Sequence, residues 1–245
     1  MIKVGDYIRT NEGYSVVVTH IINCKNIKIQ FSNGHTASVT GQNLRKGQVK
    51  NPFHPSVVGV GFIGVGNYRP TVNRNVTLAY EAWRGILRRC YCPVTQKRSP
   101  SYIGCSVDPH WHNFQNFAAW FYRHHKKGMH IDKDLIKHGN KVYCQEFCSF
   151  VPLAINCLIK TSGERYLDGV SKQDGFYIAS VGIEGDSIYL GCFRLYNDAA
   201  SAYKKAKESH VKKMAEKYKR EIDFRVYSYL KNWKVIACQS RLPYS

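Results

Sequence analysis

His130-Ile131-Asp132-Lys133-Asp134, then Gly139-Asn140-Lys141-Val142-Tyr143, then Cys148-Ser149-Phe150-Val151-Pro152: this run decides the fold. The first segment reads as a strand. Gly139-Asn140 is a turn, and Lys141 to Tyr143 begin the return. Phe150-Val151-Pro152 leads into a helix from about Leu153 to Ile159. The order is strand, hairpin, strand, helix. Six of the ten histidines fall between positions 110 and 138, and Asp132 and Asp134 lie within that span. Taken singly, each histidine reads as surface or structural; the cluster is what suggests acid–base chemistry.

Upstream of this run the apolar spacing predicts helices. Leu78, Ala82, Trp83, Ile86, Leu87 and Cys90 recur at three- and four-residue intervals, with Arg84, Arg88 and Arg89 on or beside the other face. A second helix is predicted over Asn113 to His124, with Phe114, Phe117, Ala118 and Phe121 as its core stripe. Gly59-Val60-Gly61-Phe62-Ile63-Gly64-Val65-Gly66 has the look of a phosphate loop. It lacks both the helix that should follow and the Lys-Ser/Thr pair, so it reads as a linker or turn.

Residues 3–50 read as short strands: Val4 to Ile8, Tyr14 to Thr19, Ile27 to Phe31 and Ala37 to Val39, with Ser32-Asn33-Gly34 as a hairpin signal. Short strands at this spacing suggest a small barrel. Downstream, strands are expected at Gly169-Val170-Ser171, Phe176 to Val181 and Ser187 to Phe193. A helix capped by Asn197 or Asp198 follows, with a stripe of Ala199, Ala200, Tyr203, Ala206, His210, Val211 and Met214. Residues 221–236 add a further helix. The fold class is therefore α+β. Three modules are expected: 1–55 a small β-barrel, 56–160 a ββα core with helices, and 161–245 a three-stranded antiparallel sheet packed on a helix.

Charge bears on the partner. The chain of 245 residues carries 36 Lys and Arg against 17 Asp and Glu, a formal net charge of +19. The excess is +5 over residues 1–55, +9 over 56–160 and +5 over 161–245. A basic face on every module suits a long polyanion. An apolar share of 44% is enough for packed cores, so the charge does not signal disorder. No apolar run approaches the roughly 18 residues of a membrane span, and the N-terminus shows no export signal. A cytoplasmic, reduced setting fits the nine cysteines. Cys144 and Cys148 have a workable metal spacing, but Cys148 beside Phe150 and Val151 reads as a small core hydrophobe. A structural zinc is not expected.

The central run resembles the HNH (His-Me finger) endonucleases, and more closely a phage-encoded group of HNH-like proteins. The resemblance rests on Trp83, Arg89-Cys90-Tyr91, Trp111-His112-Asn113-Phe114, Asn116-Phe117, Trp120, Asp132-Lys133-Asp134, Gly139-Asn140-Lys141, Tyr143 and Cys148-x-Phe150-Val151-Pro152-x-x-x-Asn156. It implies that Asp132 and Asn156 bind a divalent metal ion, Mg²⁺ or another, in phosphodiester hydrolysis. Lys133 stands where that family has its general-base histidine. A lysine is charged at neutral pH and suits a phosphate clamp better than a base. The base would then be His130 or His112, or the metal alone would activate the water.

The C-terminal module resembles the Apetala-type, ethylene-response-factor-like DNA-binding domain, through Gly169-Val170, Tyr177-x-Ala179, Tyr189-Leu190-Gly191-x-Phe193 and Ala199-Ala200-x-Ala202-Tyr203. That resemblance implies a sheet in the DNA groove, with Lys172, Tyr177 and Tyr189 as contacts; Arg84 and Arg88 are candidate phosphate contacts on the earlier helix. Ser171, Ser180 and Gly182 lack the charges of that family. The implied function is a phage-type endonuclease acting on double-stranded DNA in the bacterial host cell. Two alternatives stay open. One is a DNA-binding regulator or inhibitor that no longer cuts. The other is an adaptor binding RNA, or a host protein, through the N-terminal barrel.

Overall fold

The computed structural model describes residues 1–159 and 169–235. The chain is mixed α+β and divides into two compact units, Met1–Tyr122 and Arg123–Ser245. Cys238 and the last ten residues of the 161–245 module lie outside the described residues.

The first unit opens with an antiparallel meander of β1 (Tyr7–Arg9), β2 (Ser15–Asn23), β3 (Asn26–Phe31) and β4 (Thr36–Val39), paired in that order. Strict alternation explains its one-sided burial. Ile27, Ile29 and Phe31 of β3 point inward with Val16 and Val18 of β2, while Lys28 faces solvent. Leu44 of α1 (Gly41–Arg45) and Val49 close the core. The β3–β4 turn forms where Ser32-Asn33-Gly34 predicts it: Gly34 takes φ 85° and its amide donates to the Phe31 carbonyl at 2.9 Å. The Glu12 carboxylate accepts the Asn51 amide at 2.8 Å, and the rings of Tyr14, Phe31, His35, Phe53 and Phe62 follow one another in contact, stacked only between Phe31 and His35 and edge-on or tilted elsewhere.

A tight hairpin, β5 (Thr71–Val72) and β6 (Asn75–Val76), leads into α2 (Leu78–Tyr91), which Thr77 caps through the Tyr80 amide. Then come α3 (Pro93–Arg98), β7 (Ser106–Val107) and α4 (Phe114–His124). Trp83, Ile86, Leu87, Trp111, Phe114 and Phe117 are fully buried. The Trp83 indole N–H donates to the Trp111 carbonyl at 2.7 Å, which satisfies a polar atom that burial would otherwise strand. The glycine-rich run packs on these helices. A Cβ at Gly61 would run into Leu87 and Trp83, and one at Gly64 into Asn113. Gln115 pins the run from beneath, its amide donating to the Ile63 and Tyr68 carbonyls at 3.1 and 2.9 Å. Glycine here answers a packing demand.

The second unit holds β8 (Met129–Asp132), β9 (Val142–Tyr143), β10 (Ser149–Pro152) and α5 (Leu153–Leu158), then β11 (Val170–Gln173), β12 (Phe176–Ile183), β13 (Asp186–Phe193), α6 (Tyr196–Lys217) and α7 (Phe224–Asn232). β10 pairs antiparallel with β8, placing Ser149 opposite Asp132 and Val151 opposite His130. α5 follows at once and packs on both strands. β11, β12 and β13 form an antiparallel sheet in sequence order. Asp174-Gly175 and Glu184-Gly185 make its two-residue turns, all four residues at positive φ.

α6 serves two cores. Ala199 and Tyr203 pack under Val170, Ala179 and Val181 of the sheet. Val211, Met214 and Ala215 pack with Leu135, Val151, Ile155 and Leu158 of the ββα segment, and with Ile222, Val226 and Leu230 around α7. The stripe from Ala199 to Met214, a single face in the sequence, thus meets two different neighbours. The cap lies two or three residues before the expected Asn197 or Asp198: Leu195 holds the cap position without a side-chain bond, and Asp198 sits in the first turn.

Candidate functional site

Asp132 ends β8, where the chain turns sharply. One oxygen, Oδ1, accepts the amides of Asp134 and Leu135 at 2.7 and 2.8 Å, satisfying two donors that the strand has released. The other, Oδ2, accepts no hydrogen bond among the described residues. Burial pushes the carboxyl above the ordinary Asp range, and the two amide bonds oppose that shift.

Lys133 points inward. It is 7% exposed, and its ammonium donates to both Asp134 carboxylate oxygens at 2.7 and 2.8 Å and to the Asn140 carbonyl at 2.8 Å. It also lies 5.8 Å from the centre of the Tyr143 ring. Asn140 answers: its side-chain N–H donates to the Lys133 carbonyl at 2.9 Å and to the Val142 carbonyl at 2.7 Å. The ammonium's hydrogen bonds go to the loop between β8 and β9. Its position is that of a clasp holding the loop shut.

His130 is exposed and lies two residues before Asp132, so the strand's period of two puts both on one face of β8. His125 is half-buried with its ring edge-on to Phe150 at 5.1 Å. Burial lowers the pKa of His125, and the neighbouring charge of His130 lowers it further. Asn156 sits half-buried on α5, between buried Ile155 and exposed Cys157, and its amide makes no hydrogen bond among the described residues. His112 belongs to the first unit. It ends the short 3-10 turn Pro109–His112, and its Nε2 lies 3.1 Å from the Val107 carbonyl oxygen, which makes Nε2 the donor.

Cys148 is 2% exposed and burial raises its thiol pKa far above the ordinary range, as for a packed hydrophobe. Among the described residues no group of three or more His, Cys, Asp or Glu is placed to hold a metal ion. The Asp132 carboxylate and the Asn156 amide are each oxygen donors of the kind a hard divalent cation takes.

Tyr229 of α7 carries no signal in the sequence beyond its helix. It packs beside the Leu135–Ile155 core, and its pKa rises through burial first and then through the nearby charges of Asp132 and Asp134. The stripe of α7 marks the helix, but the neighbour it meets is set by tertiary packing.

The implied DNA contacts fall on different surfaces. Lys172 pairs across the ladder with Tyr177, its ammonium 5.6 Å from that ring. Tyr177 joins the core against α6, its ring 5.6 Å from that of Tyr196, so Lys172 and Tyr177 share the helix side of the sheet. Tyr189 pairs with Ser180 on the other face, with Ser171 and Ile178, and is 64% exposed. That open face carries no arginine or lysine at these positions. Arg84 and Arg88 are exposed one turn apart on α2, with Arg84 lying 5.9 Å from the Tyr80 ring. No helix among the described residues is long and apolar enough to cross a membrane. Comparison with known proteins finds no family model, no curated protein and no solved structure that matches the chain.

Proposed function

We propose that the chain binds duplex DNA and cuts it by metal-dependent phosphodiester hydrolysis at the β8–β10–α5 segment, as the HNH endonucleases do. The supporting observation is the ββα order itself: Asp132 ends the first strand with Oδ2 uncommitted, and α5, bearing Asn156, follows directly on the second strand. Asp132 and Asn156 would hold a Mg²⁺-like ion. Such an ion neutralises charge developing on the phosphate and leaving oxygen. His130, on the face of Asp132, is our base. Lys133 holds the loop that presents Asp132, in place of the phosphate clamp its position first suggests. In this reading β1 to β4 with α1 form a small barrel, and the β11–β13 sheet on α6 is a DNA-binding module of the Apetala type. The protein would act as a phage product on DNA inside a bacterial host.

One observation favours a second reading, a DNA-binding protein that does not cut. The residue in the family's base position, Lys133, is buried and hydrogen-bonded to its own loop. Supercoiled plasmid incubated with Mg²⁺, Mn²⁺ or EDTA separates the two. Metal-dependent nicking that disappears in Asp132→Asn and Asn156→Ala supports the enzyme. DNA retention by the pure protein without nicking leaves the binding protein.

A further inference from the structure

Among the described residues, three hairpins have two-residue turns whose central residues all lie at positive φ: Asn73-Arg74, Asp174-Gly175 and Glu184-Gly185. Such turns match the right-handed twist of the strands and place their second residue in a region that glycine enters freely. Two of the three have glycine there. The third has Arg74, at φ 66°, after Asn73 at φ 50°. A side chain in this region is strained, and strain held against an easy remedy points to a use for the side chain.

The fold gives nothing back for it. All six residues from Thr71 to Val76 are exposed. The side chains of Asn73, Arg74 and Asn75 make no hydrogen bond, ion pair or ring contact among the described residues. The base of the hairpin, in contrast, is firmly held. The Thr77 amide donates to the Pro70 carbonyl at 2.9 Å, its hydroxyl lies 3.2 Å from the Arg69 and Pro70 carbonyls, and the same hydroxyl caps α2. A hairpin anchored at its base thus presents one unpaired cation flanked by two amides.

The surroundings favour a polyanion. No Asp or Glu occurs anywhere between Glu12 and Glu81, while Arg69 and Arg74 fall inside that stretch and Arg84 and Arg88 follow on α2. Two strands about 4.8 Å apart, with side chains, make a ribbon roughly 10 Å across. That width enters the major groove of B-DNA, about 12 Å, and is too broad for the minor groove, about 6 Å. Arginine and asparagine are the side chains that pair in bidentate fashion with guanine and adenine edges in the major groove.

We infer that the Thr71–Val76 hairpin is a reading finger for the major groove of duplex DNA, with Arg74 reaching a base edge from its tip. The inference rests on the duplex-binding reading above and adds a site that neither the ββα segment nor the C-terminal sheet supplies.

The test uses the full chain and a labelled DNA duplex, with binding followed by fluorescence anisotropy. Arg74→Gly puts the favoured residue into the turn, so its melting temperature should equal or exceed that of the parent while its duplex affinity falls about tenfold. Asn73→Gly relaxes the same turn and keeps the arginine, and should bind duplex within about threefold of the parent, losing at most one amide contact. The major-groove ligand methyl green should displace the protein, and the minor-groove ligand netropsin should not. Equal affinity of Arg74→Gly and parent overturns the finger and leaves the duplex-binding reading standing. A parent that binds no duplex, or only RNA, overturns both.

Discussion

Lys133 and Asn140 hold each other in both directions. The ammonium of Lys133 donates to the Asn140 carbonyl at 2.8 Å, and the side-chain amide of Asn140 donates to the Lys133 carbonyl at 2.9 Å. Both residues are buried. The pair closes the loop after Asp132 on itself. Lys133→Met keeps the aliphatic stem and removes the ammonium, leaving the Asn140 carbonyl without its donor. A loss of about 1–3 kcal/mol is expected. Asp134→Asn should cost less, about 0.5–1 kcal/mol, because the Asp134 side chain is 47% exposed and water replaces part of the pairing. Urea unfolding of the two variants checks the order. If Lys133→Met unfolds at the parent's midpoint, the clasp contributes nothing to stability.

The clasp makes a second prediction about Lys133→His. An imidazole restores the residue type of the nuclease family, but it is too short and has too few donors to replace the three hydrogen bonds of the ammonium. The variant should therefore be less stable than the parent. If the site lacks only a base, the variant should nick plasmid faster in Mg²⁺ despite that loss. A thermal melt beside a nicking assay separates the two effects. A variant as stable as the parent would show that the loop does not depend on the ammonium.

The longer strands and helices were legible because alternation and three- to four-residue spacing are local properties; α1, α3, the β5–β6 hairpin and β7 are too short to show either period and were not legible. β3 is predicted over Ile27 to Phe31 and found at Asn26–Phe31; α4 is predicted from Asn113 to His124 and found at Phe114–His124. The inward turn of Lys133 was not legible. It depends on Asn140, seven residues on, presenting a carbonyl at the right depth. The proximity of Tyr229 to Asp132 was hidden for the same reason, since α7 reaches that site only through packing on α6. For the sheet, the sequence identifies Lys172, Tyr177 and Tyr189 as contacts. Which face each takes needs the pairing register and the side on which α6 lies.

At the ββα segment, Asp132→Asn and Asp132→Ala should behave differently. Asparagine keeps an oxygen to accept the Asp134 and Leu135 amides, so the turn survives while the carboxylate charge is lost. Alanine strands both amides and should destabilise by about 1–3 kcal/mol. Metal-dependent nicking should be lost in both, and stability in the alanine variant alone. Chemical denaturation together with the plasmid assay reads this pattern. Equal stability of the two variants would remove the carboxylate from the structural account of the turn.

His210 of α6 gives the chain a predicted pH dependence. It is 9% exposed, and burial lowers its pKa from the ordinary 6.5. Lys207, Lys213 and Lys217 press the same way, and Glu184 partly opposes them. In the window below 6.5 the unfolded chain takes up a proton at this site that the folded chain refuses. Folding stability therefore falls as the pH drops through that window, and above it the site contributes no slope. His210→Gln removes the titration and should flatten this part of the profile. The check is the difference in melting temperature between parent and variant from about pH 7.5 to about pH 5.5, where the ordinary imidazole changes charge. The parent should lose stability faster on acidification than the variant. A constant difference across the range would show that His210 titrates in the folded chain as it does in the unfolded one.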